Sequence, residues 1–105
     1  MINQLQQGDV ILKKVDILPI GSKEVSRKNK AIVLAEGEHT GHAHRIFDVD
    51  AMFYEKDGKF YLKNEKPVTL GHEEHKAFII EPGIWEVGQV KEKDWISGMV
   101  RVVAD

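Results

Sequence analysis

The sequence contains no cysteine, and this absence excludes several classes of site. None of its 105 residues can form a disulfide bond, a cysteine-ligated zinc or iron–sulfur centre, or a thiol nucleophile. Proline is also scarce: all three lie between hydrophobic segments, so no proline-rich linker divides the chain. A chain of this length, with 42% hydrophobic residues, is therefore predicted to form one domain over residues 1–105.

Long hydrophobic runs are missing as well. No stretch approaches the roughly 20 consecutive apolar residues that a membrane-spanning helix requires. The first seven residues, from Met1 to Gln7, have neither the basic nor the apolar region of a secretory signal. We therefore expect a cytoplasmic protein that has no membrane partner.

The net charge is small, but it is unevenly distributed. A formal charge of -2 gives the whole chain no attraction to nucleic acid, so nucleic acid is not an expected partner. Residues 13–30 nevertheless carry six basic and two acidic side chains, whereas residues 31–105 carry nine basic and fourteen acidic ones. The basic loop from Lys23 to Lys30 is interpreted as a solvated loop. A weaker alternative is a nucleic-acid-contacting module that uses this loop.

Hydrophobic runs of strand length alternate with turn residues, and no helical period runs through them. This pattern predicts an all-β fold, a small single-domain barrel or sandwich of about eight short strands. The apolar run at residues 31–35 is typical of a strand buried on both faces. The aromatic side chains, Trp85 among them, are expected in the core. The strands are predicted at residues 8–15, 31–35, 42–47, 51–56, 59–63, 67–70, 77–80, 84–87 and 95–103.

The clearest local signal is a hairpin turn at Asp57-Gly58. Asp-Gly between two aromatic-rich runs is the signature of a two-residue type I′ turn. The register that follows places Tyr54 opposite Tyr61 and Phe53 opposite Leu62.

All histidines fall in two short windows, and these windows are the most informative part of the sequence. Residues two apart on a strand share a face, so the imidazoles of His42 and His44 could converge on one ion. If the second window lies nearby, the nitrogen-rich set would select a divalent transition metal such as Zn, Ni or Fe. The predicted metal ligands are His42, His44, His72 and His75, with Glu73 or Glu74 as the candidate catalytic base and His39 and Arg45 as candidate ligand-binding residues.

Two other interpretations of the histidines stay open. They could form a structural cluster held by hydrogen bonds, or line a pocket for a small polar ligand without a metal. The string from His72 to His75 does not match the metalloprotease motif, because that motif places its histidines four residues apart on a helix. Three His ligands and a bound water would give a hydrolytic site, whereas four would give a structural one. Whether the protein is an enzyme is left open.

Part of the sequence resembles the cupins, small β-barrels in which two histidines of an HxH motif and a later histidine hold a metal. The similar features are Gly37-x4-His42-x-His44 and a later Pro82-Gly83 turn. The cupin glutamate that follows the His pair has no counterpart here, and the second His window precedes the Pro-Gly turn instead of following it. The resemblance therefore implies an HxH strand in a small β-fold, and cupin catalysis is not transferred.

Nearly the whole chain resembles a family of small uncharacterised bacterial and phage-encoded proteins with a GHAH…HEEH signature. This resemblance implies that His42, His44, His72 and His75 form one constellation, and it implies no reaction. The similar segments are Gly8-Asp9-Val10, Leu34 to His44, His72-Glu73-Glu74-His75-Lys76, Pro82 to Val87 and Val103-Ala104-Asp105.

The leading hypothesis is a small His-cluster domain that binds a divalent metal or a polar ligand. The alternative is a non-enzymatic accessory or interaction protein, of phage association, whose His cluster is structural. Short strands leave edges that a second copy could pair, so a homodimer is one expected assembly.

Overall fold

The computed structural model describes residues 3–36 and 42–89, and every regular element in these ranges is a β-strand. The all-β prediction is confirmed. No helix able to cross a membrane is formed within these ranges. The strands are β1 (Gln4–Gln7), β2 (Val10–Val15), β3 (Lys23–Glu24), β4 (Ile32–Glu36), β5 (Ala43–Ile46), β6 (Ala51–Lys56), β7 (Lys59–Asn64), β8 (Val68–Leu70), β9 (Phe78–Ile80) and β10 (Gly83–Gln89).

Eight of these ten strands, β2 and β4 to β10, correspond to predicted ones. The predicted strand at residues 95–103 lies outside the described residues. β1 was not predicted because its sequence, Gln-Leu-Gln-Gln, has too little hydrophobic character to be recognised as a strand. β3 has only two residues and lies in the segment interpreted as the basic loop.

One large antiparallel sheet and two small ones build the described part of the chain. The large sheet has the strand order β1-β2-β10-β7-β6-β3, while β4 pairs with β5 and β8 pairs with β9. The core contains side chains from all three sheets, so the two small sheets cover one face of the large one. The buried core residues are Leu12, Ile32, Ile46, Ala51, Phe53, Leu62, Val68, Leu70, Ile80 and Trp85.

The hairpin between β6 and β7 has the predicted turn and the predicted register. Asp57 and Gly58 both have positive φ, 52° and 83°, as a type I′ turn requires. Tyr54 lies opposite Tyr61, as the sequence predicts, and the pair of Phe53 and Leu62 is also confirmed.

The apolar strand β4 is less buried than its composition predicts. Ile32 is buried, but the three residues that follow it are only half-buried. The reason is that β4 belongs to a two-stranded sheet, and its pairing with β5 is interrupted by a bulge between Val33 and Ala35. In the described chain, β4 is therefore a covering strand and not the centre of a sheet.

Candidate functional site

A short backbone connection brings the two His windows side by side. Arg45 on β5 exchanges both backbone hydrogen bonds with Gly71, which follows β8, and each N···O distance is 2.9 Å. His44 directly precedes Arg45, and His72 directly follows Gly71. The ring centroids of His44 and His72 consequently lie 4.4 Å apart.

Four imidazoles gather around this connection, and their role as metal ligands stays a prediction. We call His42, His44, His72 and His75 the His cluster. His75 lies 4.6 Å from His72 and 5.9 Å from His44, while His42 lies 6.0 Å from His72, all measured between ring centroids. His44 is 2% exposed and forms the buried centre, whereas the other three rings are half-buried. The fifth histidine, His39, lies outside the described residues.

Gln7 on β1 fixes the orientation and the tautomer of His44. The fully buried Gln7 amide donates from Nε2 to the carbonyl oxygens of Leu70 and Lys76, both at 3.0 Å. Its Oε1 must therefore be the atom that lies 2.8 Å from Nδ1 of His44. Because a carbonyl oxygen only accepts, His44 carries a proton on Nδ1.

The other ring nitrogen of His44 faces a carboxylate. Nε2 lies 3.2 Å from Oδ1 of Asp9, which sits in the turn between β1 and β2. The second carboxylate oxygen of Asp9 accepts a hydrogen bond from Nε2 of Gln89 at the end of β10. In the neutral ring, Nε2 and Oδ1 are both acceptors, so only a cation between them makes their contact favourable.

Protonation of the His44 ring at Nε2 would supply such a cation, but burial disfavours the charged ring. Burial, followed by the neighbouring His72, lowers the pKa of His44, and the opposing effect of Asp9 is smaller. Burial and the neighbouring His75 likewise lower the pKa of His72. The imidazoles at the centre of the His cluster are therefore predominantly neutral at pH 7, the form in which they bind metals.

These shifts predict that the protein loses stability on mild acidification. The folded-state pKa values of His44 and His72 lie below the unfolded value of 6.5, so the unfolded chain binds more protons as the pH approaches this value. The free energy of unfolding should therefore decrease as the pH falls from 7.5 to 5.5. Urea unfolding in the presence of a chelator measures this free energy at each pH. His72→Gln should make the free energy of unfolding depend less on pH. An unchanged or higher urea midpoint at pH 5.5 would contradict the prediction.

Glu73 connects the two His windows through its carboxylate. Its carboxylate accepts the backbone N–H of Ala43 at 2.9 Å and forms an ion pair with Arg45. The bond from Ala43, and then Arg45, lowers the pKa of Glu73 to about 2. A carboxylate with a lowered pKa is a weak base. The catalytic role of Glu73 or Glu74 stays a prediction.

Glu74 lies at the exposed edge of the His cluster. Its carboxylate oxygen is 3.7 Å from Nδ1 of His42. Its backbone N–H donates to Nδ1 of His72 at 3.0 Å, which fixes the present orientation of that ring. Arg45 is bound to Glu73, so its predicted contact with a ligand would require that ion pair to be shared.

The basic loop is partly used within the fold. Arg27 donates hydrogen bonds to the carbonyl oxygens of Lys30, Asp48 and Ala51. Its guanidinium thereby joins the loop to the turn that precedes β6, a structural role. Nucleic-acid contact through this loop stays a prediction.

Sequence reasoning missed Gln7, Asp9 and Gln89. Gln7 and Asp9 lie 37 and 35 residues from His44 along the chain, and neither belongs to a metal-ligand spacing. The antiparallel pairing of β1 with β2 and of β2 with β10 brings Gln7, Asp9 and Gln89 together. Two signals were available: the glutamine pair before the Gly-Asp turn, and the segment Gly8-Asp9-Val10 of the family resemblance.

Comparison with known proteins places the whole site inside one family match. The family model described as "Domain of unknown function (DUF8820)" matches residues 6–89. The chain belongs to this family. Gln7, Asp9, Gln89 and the four residues of the His cluster all lie within the DUF8820 match. No curated protein and no solved structure matches the chain. The cupin resemblance, the GHAH…HEEH signature and the phage origin stay predictions.

Proposed function

We propose that this DUF8820 domain binds one divalent transition metal ion at the His cluster. The observation that carries the proposal is the Gln7–His44 hydrogen bond, because it places the only proton of the neutral ring on Nδ1 and directs the lone pair of Nε2 toward the other side. Such a bond to the second ring nitrogen is the usual support of a metal-ligating histidine.

The spacing of the rings suits a common ion. Imidazole nitrogen binds Zn at about 2.0–2.1 Å, which puts the centroids of two rings in a tetrahedral site roughly 5 Å apart. The centroid separations of 4.4 to 6.0 Å in the His cluster bracket this value. Nitrogen donors favour Zn, Ni or Fe over Mg or Ca.

Binding requires two rings to turn. Within residues 3–36 and 42–89, no three His, Asp or Glu side chains already form a set that could hold a metal ion. His72 and His75 lie in the irregular segment between β8 and β9 and are only half-buried, so their rearrangement does not require repacking of the core, although the His75 ring must clear its close contact with Gly8. Rotation of His72 breaks its bond from the Glu74 N–H, at a cost of about 1 kcal/mol.

An open position on the ion would define the chemistry of the site. A water molecule bound there would have a pKa near 7 and could act as a hydrolytic nucleophile, with Glu74 as the base. A small polar ligand could take the same position. If all four rings bind, the ion is structural, and the domain serves as an accessory or interaction protein.

The proposal is tested by metal analysis of tag-free protein purified without a chelator or a nickel column. Plasma mass spectrometry after reconstitution with Zn should find about one ion per chain in the wild type. His72→Ala/His75→Ala should reduce the affinity by at least about 100-fold, because it removes two ligands from half-buried positions. Glu65→Ala/Lys66→Ala, in the exposed connection between β7 and β8, is the matched control and should bind like the wild type.

Two results would contradict the proposal. The first is folded wild-type protein that retains no ion after reconstitution with Zn, Ni and Fe. The second is a His72→Ala/His75→Ala variant that retains the ion with wild-type affinity.

A further inference from the structure

Asp9 is a carboxylate within hydrogen-bond distance of a ring nitrogen of the His cluster. Oδ1 of Asp9 lies 3.2 Å from Nε2 of His44, and Oδ2 accepts a hydrogen bond from Gln89. The Asp9 side chain is 46% exposed, whereas the His44 side chain is 3% exposed, so their contact lies where the buried centre opens to solvent.

The distance between these two atoms suits coordination of one ion. Zn–N and Zn–O distances are both about 2.0–2.1 Å. Two ligand atoms 3.2 Å apart then subtend an angle of roughly 100° at the metal, between the octahedral and tetrahedral values. His44 Nε2 and Asp9 Oδ1 could therefore bind the same ion without moving apart.

The backbone at this point also faces the His cluster. Gly8, which precedes Asp9, packs so closely on His75 that a Cβ at Gly8 would lie 2.6 Å from Nε2 of the imidazole. The turn between β1 and β2 thus contacts both His44 through Asp9 and His75 through Gly8. A glycine is needed here for the close approach and for its φ of +58°.

We propose that Asp9 is an oxygen ligand of the metal ion, and that Gln89 is a positioning residue that holds the Asp9 carboxylate. This inference rests on the proposed function and deepens it, because it changes the donor set from imidazole alone to imidazole plus carboxylate. A negative ligand partly offsets the charge of a divalent ion and supports Zn or Fe(II) over the softer Cu(I).

The test compares Asp9→Asn with Asp16→Asn by competition titration of Zn against a chromophoric chelator. Asp9 and Asp16 flank β2 at opposite ends, so they lie about 20 Å apart. Asp9→Asn should reduce the Zn affinity by about 10- to 100-fold or more, while Asp16→Asn should not change it. Gln89→Leu, which leaves the carboxylate present but without its partner, should reduce it by about 10-fold.

A second measurement distinguishes a direct metal ligand at Asp9 from a residue whose role is only structural. Substitution of Co²⁺ for Zn²⁺ gives an absorption spectrum that depends on the ligand set, and Asp9→Asn should change that spectrum while Asp16→Asn leaves it intact. If Asp9→Asn binds Zn as tightly as the wild type and leaves the Co²⁺ spectrum unchanged, Asp9 is not a ligand, although the proposed function stands. If the wild type binds neither ion, both proposals fail, and the cation between His44 and Asp9 is a proton.

Discussion

Replacement of Trp85 by alanine is expected to lower the free energy of unfolding by about 3–5 kcal/mol. Trp85 is 1% exposed in the centre of the large sheet, where β10 pairs with both β2 and β7. Its indole N–H donates to the carbonyl oxygen of Glu81 at 3.1 Å. The substitution leaves a cavity and removes one of the two hydrogen bonds that the Glu81 carbonyl accepts, since Asn64 Nδ2 also donates to it. The whole stability of a domain is about 5–15 kcal/mol.

Urea unfolding measured by circular dichroism checks the Trp85→Ala prediction. Trp85→Phe should cost less, since it keeps most of the ring volume and loses the N–H donor. Met52→Ala is the matched control, because Met52 lies on β6 of the same sheet and is 40% exposed, and it should change stability by less than about 1 kcal/mol. A Trp85→Ala variant as stable as Met52→Ala would show that the core is placed wrongly.

Replacement of Gln7 by glutamate is expected to lower the free energy of unfolding by about 2–4 kcal/mol at pH 7. The two side chains have nearly the same shape, so the change tests hydrogen-bond direction and not volume. The Nε2 of Gln7 donates to two buried carbonyl oxygens, those of Leu70 and Lys76. A carboxylate oxygen in the same place would face both carbonyls without a proton to donate, at a fully buried position.

Gln4→Glu is the matched control for the Gln7 prediction. Gln4 lies on the same strand, is half-buried and pairs with Lys13 on β2, so a carboxylate there should be tolerated. The unfolding midpoints of both variants should be compared at pH 7 and pH 5. The loss in Gln7→Glu should shrink at pH 5, because a protonated carboxyl group can again donate to one carbonyl. Equal stability of Gln7→Glu and the wild type at pH 7 would contradict the assigned amide orientation.

The strands were predictable where turn chemistry and hydrophobic pattern agree. Asp57-Gly58 fixes the β6–β7 register by local backbone geometry alone, without help from the rest of the fold. β1 was not predictable, since three of its four residues are glutamines and it is a strand only through pairing with β2. The order of the large sheet was equally hidden, because β10 lies between β2 and β7 through long-range pairing that no local signal specifies.

The candidate site also contains residues that the sequence predicts and residues that it does not. Histidine is informative by residue type, so two windows of it marked His42, His44, His72 and His75, and the Arg45–Gly71 backbone pair brings these windows together. Gln7 and Asp9 are common surface residue types, and their importance comes from the ring nitrogens that they face. No sequence pattern encodes the hydrogen-bond directions around this buried ring. They assign a proton to Nδ1 and leave the lone pair of Nε2 available in the neutral ring.

Nitrogen-15 NMR of the histidine rings, recorded with and without one equivalent of Zn at pH 7, tests the proposed metal site most directly. We predict that Nδ1 of His44 stays protonated and bound to Gln7 in both samples, and that Nε2 shifts to the range of metal-bound imidazole when Zn is added. His44→Gln identifies the resonances. A His44 ring that is protonated on both nitrogens and does not respond to Zn would contradict the proposed site and show that its contact with Asp9 is an ordinary ion pair.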